Sequence, residues 1–124
     1  MNDLPGSALA LVLALASISG AVRADFATIE HAEATPGSNG WRLAVTLRHP
    51  DTGWDHYADG WEVLDAAGNS LGLRVLAHPH VNEQPFTRML SDVQVPAGTE
   101  TVFIRARCSQ DGWGERLFPV PVGN

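Results

Sequence analysis

From residue 26 onward, apolar and polar side chains change places every second residue, in short runs broken by turn-forming clusters. Period-2 alternation is the signature of half-buried strands. No stretch carries the 3.6-residue periodicity that a helix needs. The punctuation is regular: TPGSNG (35–40), HPDTG (49–53), DAAGNS (65–70), HPHVNEQP (78–85), PAGTE (96–100) and SQDGWG (109–114). Seven strands are expected between these turns, at 26–34, 41–48, 57–65, 71–78, 86–95, 101–108 and 115–122. That spacing predicts one all-β domain, an immunoglobulin-like or fibronectin-type antiparallel β-sandwich of about seven strands.

The alternation also names a core. Trp41, Leu43, Val45 and Leu47 share one face of the second strand, and Trp61 and Val63 one face of the third. Leu71, Leu73 and Val75 are expected to serve the fourth, and Val102, Ile104, Ala106 and Cys108 the sixth. In the last strand Phe118, Val120 and Val122 alternate with Pro119 and Pro121. Two prolines cannot donate to a ladder, so this strand belongs at a sheet edge.

The N-terminus breaks the pattern. Residues 8–17, ALALVLALAS, form an apolar run of signal-peptide length, too short to span a bilayer as a helix. Val22 and Ala24 occupy the small-residue positions before a cut, which places cleavage after Ala24, with Ala21 as the alternative. The segment ahead of the run, MNDLPGS, lacks Lys and Arg, and an uncut membrane anchor is the competing reading. The expected organisation is therefore a leader at 1–24 and a sandwich domain at 25–124, working in the periplasm or secreted, with no membrane span in the mature form.

Charge narrows the partners. The chain has a net charge of −6, and losing Arg23 and Asp3 with the leader leaves it unchanged. All eight basic residues are Arg; there is no Lys. An acidic surface without a basic stripe excludes nucleic acid as a partner. The single cysteine, Cys108, cannot form an intramolecular disulfide. Its parity with Ile104 and Ala106 places it in the core, a poor position for a nucleophile.

Strand direction turns the loops into geometry. If consecutive strands are antiparallel, the loops at 49–56, 78–85 and 109–114 all lie at one end. Four of the five histidines collect there: His49, His56, His78 and His80. His78 and His80 are two apart, so on an extended strand both rings share a face about 6.5–7 Å apart. Such a pair could share one zinc or copper ion, with His49 or His56 as a third ligand. Asp51, Asp55, Glu83 and Asp111 are candidates to complete or orient the shell, and Trp54 and Trp113 could act as stacking platforms for a glycan. The plainer alternative is that H-P-H is a solvated turn and the rings merely order the loops.

Other chemistries fit less well. Asp51, Asp55 and Asp59 recur every fourth residue, not every second as in an EF-hand loop. The sequence contains no G-x-S-x-G motif. A copper centre built on an N-terminal histidine is disfavoured, because the residue after the expected cut is Asp25. The stretches HPDTGWDHYADGW (49–61) and HPHVNEQPFTR (78–88) resemble a family of small exported bacterial proteins. The resemblance covers residues 41 to about 120. It implies a β-sandwich and an extracytoplasmic address, but no activity and no site residue. Three functions follow, in order: a non-catalytic binding module using the loops at one end, for a protein, glycan or metal partner; a periplasmic zinc- or copper-binding protein; and a metal-dependent enzyme.

Overall fold

The computed structural model describes residues 25–123; the leader expected at 1–24 lies outside the described residues. Eight strands follow one another: β1 (Thr28–Gly37), β2 (Gly40–Arg48), β3 (Ala58–Leu64), β4 (Ser70–Val75), β5 (Phe86–Val93), β6 (Thr101–Cys108), β7 (Gly112–Trp113) and β8 (Phe118–Pro121). Among the described residues no helix is long and apolar enough to cross a membrane.

Every pairing is antiparallel. One sheet has the order β1-β2-β5. The other runs β4-β3-β6-β7, with β8 also on β6. The fourth strand thus flanks the third, whereas in the constant-type immunoglobulin order it flanks the fifth. As its prolines require, β8 is an edge strand.

The two sheets face each other across Leu43, Val45 and Leu47 from β2, Trp61 and Val63 from β3, and Val102, Ile104 and Ala106 from β6. All eight are 2% exposed or less. On β2 and β6 these residues alternate with exposed or half-buried neighbours, as a two-layer sheet demands, whereas β3 is buried on both faces at Gly60 and Leu64. Trp61 is fully buried, while Trp41 is half-buried at the margin of the core.

The fourth strand departs from the expected parity. Leu73 and Val75 are exposed, and the strand stops at Val75 instead of running on to His78. Its core-facing positions are Gly72, paired with Val63, and Arg74, paired with Trp61. A Cβ on Gly72 would lie 2.9 Å from Leu90 Cδ2 of the facing sheet, so that sheet packs onto bare backbone there. The physical reason is a register shift between Val63 and Leu64, because a one-residue slip moves every side chain to the opposite face. Buried Leu76, just past the strand, supplies the apolar side chain that β4 itself does not.

Candidate metal centre

Two of the site's side chains are the last residues of two core-facing alternations. Along β2 the buried series Leu43, Val45, Leu47 continues by one more step of two to His49, which is fully buried. Along β6 the series Val102, Ile104, Ala106 ends at Cys108, also fully buried. Because β2 and β6 lie in opposite sheets, both chains point into the same end of the sandwich interior. The loops that leave these strands bring in the rest: His56 from the β2–β3 connection and Asp111 from the β6–β7 turn.

His49, His56 and Cys108 place one ligand atom each within 4.8 Å of one another. Cys108 Sγ is 3.5 Å from His56 Nε2 and 3.4 Å from Asp111 Oδ2, and His56 Nε2 is 3.6 Å from the same oxygen. The His49 and His56 rings meet edge to face at 4.8 Å. Exposure grades outward: the His56 side chain is 14% exposed and that of Asp111 28%.

Asp51 organises this end of the domain. Its side chain is fully buried, and its Oδ1 accepts from His49 Nδ1 at 2.6 Å and from the Ala58 amide at 2.9 Å. Its Oδ2 accepts from the His80 amide at 2.7 Å. One carboxylate therefore joins the end of β2, the start of β3 and the 76–85 loop. With Nδ1 bonded to Asp51, the His49 ring turns its Nε2 to the interior, the arrangement by which carboxylates orient metal-binding imidazoles. That Nε2 is buried and has no hydrogen-bond partner among the described residues.

Further ties fix the loops. Gln84 accepts from the His49 amide and donates to the His80 carbonyl. Tyr57 and Ser109 bond reciprocally, through Ser109 N to Tyr57 O and Tyr57 N to Ser109 Oγ. Gly53, at φ +143°, turns the chain so that it bridges to His56. Burial pushes the Cys108 thiol above its ordinary pKa, opposed by the Asp111 and Gln110 amides.

Of the four histidines expected as ligands, the structure brings His49 and His56 together and adds Cys108. His78 and His80 form a separate pair, with ring centres 4.6 Å apart. His80 is buried and stacks on Phe86 at 3.9 Å; its Nε2 accepts from Arg88 Nη2 at 2.9 Å. Burial lowers the His80 pKa, and the Arg88 and His78 charges lower it further. His78 is exposed and donates from Nδ1 to the Pro79 carbonyl.

The supporting residues divide similarly. Asp51 and Asp111 adjoin the cluster. Asp55 is exposed and offers its backbone carbonyl to Gln110, while Glu83 pairs with Arg88. Trp54 is 68% exposed, edge-on to Tyr57. Trp113 is no open platform, since the Arg105 and Arg107 guanidinium groups lie 4.3 and 5.4 Å from its ring centre. Cys108, expected from its parity as a core thiol, is buried and belongs to the cluster. The signal for it was available: it ends its alternation at the same end of the domain as His49.

A protein of Halomicrobium mukohataei described as "Putative lipoprotein" is 42% identical to this chain over 84 residues, covering 68% of the chain. The chain spans about two fifths of that relative's length, the match covering 41% of it. No family description matches the chain. No solved structure matches it.

Proposed function

We propose that this domain is an exported, non-catalytic metal-binding module that holds a divalent transition ion, zinc foremost, through Cys108, His49, His56 and Asp111. One thiolate, two imidazoles and one carboxylate form a donor set suited to zinc. Donors 2.0–2.3 Å from one tetrahedral zinc stand about 3.3–3.6 Å from each other. The three separations among Cys108, His56 and Asp111 are 3.5, 3.4 and 3.6 Å, in agreement with the edges of such a tetrahedron. The observation that carries the reading is His49 Nε2: buried, oriented from behind by Asp51, and without a hydrogen-bond partner among the described residues. A buried polar atom left unpaired is costly, and an ion would satisfy it.

Four protein donors close the shell, so the ion serves to hold the loops and not to activate water. The loops so fixed carry the exposed Trp54, a surface for a protein or glycan partner. The description of the Halomicrobium relative supports an exported or membrane-anchored setting. Copper is the second reading, because a thiolate with two imidazoles is also a copper donor set.

Titration of metal-free protein with zinc, cobalt(II) and copper(II) tests the proposal. Zinc should bind one to one, and cobalt should give a thiolate charge-transfer band that Cys108→Ser abolishes. At a hundredfold excess over Kd, metal that binds only the folded state stabilises it by about 2.7 kcal/mol. For about 100 residues that raises Tm by roughly 10–20 °C. His78→Ala should bind as the parent does. Absence of binding, or equal binding by Cys108→Ser, overturns the reading. An intense copper–thiolate absorption together with weak zinc binding would select copper.

A further inference from the structure

The Asp25 backbone nitrogen donates to Asp111 Oδ2 at 3.2 Å. That contact joins the first described residue to the outermost member of the cluster, 86 positions away. The segment is held by packing: Ala27 and Ile29 lie against the core, and a Cβ on Gly114 would touch Phe26 Cβ at 3.7 Å. Asp25 is also the residue that follows the expected export cut. In the uncut chain its nitrogen is a peptide amide, with no lone pair to give. After cleavage the same atom becomes an α-amine, a donor of the same class as imidazole nitrogen.

We infer that the α-amino nitrogen of Asp25, freed by cleavage after Ala24, is a further ligand of the metal held by Cys108, His49, His56 and Asp111. The inference rests on the metal reading above and deepens it by coupling the centre to export. Two donors each about 2.1 Å from one ion stand about 3.0–3.4 Å apart at angles of 90–109°. The 3.2 Å between the Asp25 nitrogen and Asp111 Oδ2 falls within that interval. The amine adds to the four-donor shell by expanding it to five, an expansion that some zinc sites undergo. The precursor would then hold its metal with four donors and the processed chain with five, so tight loading follows removal of the leader.

The absence of lysine makes the test specific. In the processed chain the α-amine is the sole primary amine, so an N-hydroxysuccinimide acetate reagent reports on that nitrogen alone. The full chain is expressed for export, and intact mass defines its N-terminus. Zinc should slow acetylation of the amine at least tenfold. The acetylated protein should bind zinc at least about tenfold more weakly in competition with a chromophoric chelator, the size of effect that loss of a supporting group produces. Its metal-free melting point should stay unchanged, which separates lost coordination from lost folding. Equal acetylation rates with and without zinc, equal affinities, or a mature N-terminus other than Asp25 would overturn the inference while leaving the four-donor centre standing. Failure of the unmodified protein to bind zinc at all would overturn both.

Discussion

Replacing Asp51 with alanine removes the carboxylate that joins three segments of the functional end. The side chain is fully buried and accepts three hydrogen bonds, at 2.6, 2.9 and 2.7 Å, from His49 Nδ1, the Ala58 amide and the His80 amide. Alanine offers none of these acceptors, and each stranded buried donor costs about 1–3 kcal/mol. The three costs do not simply add, because the loops can shift toward solvent once released. Breaking a buried polar pair from one side typically costs about 3–5 kcal/mol, and that is the loss expected here. Against a total stability of about 5–15 kcal/mol this is a large fraction. With 1 kcal/mol moving Tm by roughly 4–8 °C in a domain of this size, a fall of roughly 12–40 °C is expected. Asp51→Asn retains one acceptor oxygen but turns an N–H pair toward a donor, so it should cost less, about 1–3 kcal/mol. Thermal unfolding of metal-free protein followed by circular dichroism reads both values. Zinc affinity measured on whatever remains folded should fall as well, since His49 loses the group that orients it. An Asp51→Ala protein within about 1 kcal/mol of the parent would refute the reasoning, because these bonds would then not be holding the loops.

Two further outcomes are expected. The lowered His80 pKa means that the folded state resists the proton which the unfolded chain accepts near 6.5. Its contribution is complete above that pH and is lost as pH falls from about 6.5 toward the lower folded value; burial depresses the ring's pKa most, Arg88 and His78 add to it, and Glu83 and Asp51 oppose them. Denaturant unfolding at pH 7.5 and 5.5 should therefore show a smaller acid loss in His80→Gln than in the parent, and equal losses would contradict the assignment. For β4, Leu73→Ser should change stability by under about 0.5 kcal/mol, because the side chain is half-exposed on the outer face. Gly72→Val should cost about 1–3 kcal/mol, because its Cβ would already crowd Leu90. The opposite ranking in chemical denaturation would restore the parity expected from sequence.

Most strand positions, the sandwich and most of the core were legible in the sequence because alternation is local: each residue's face follows from its neighbours two away; the two-residue β7 fell in a segment read as a turn. The same rule, carried one step past Leu47 and past Ala106, delivers His49 and Cys108 to the interior. Strand direction alone brought His49, His56 and Asp111 to one end. Local rules failed on β4, where the register slips within the strand's own core positions. On β4 a single shift beside Val63 turned Leu73 and Val75 outward, and alternation cannot report a shift that is set by the partner strand. The division of the histidines was likewise a tertiary matter. His78 and His80 share a short motif, but β4 ends before them, and Phe86 and Arg88 of a different strand take the ring of His80. The sequence by itself determined which residues could reach the end of the sandwich. Which of them meet was decided only when two sheets closed over Asp51, because ligand geometry depends on contacts between segments that lie far apart in the chain.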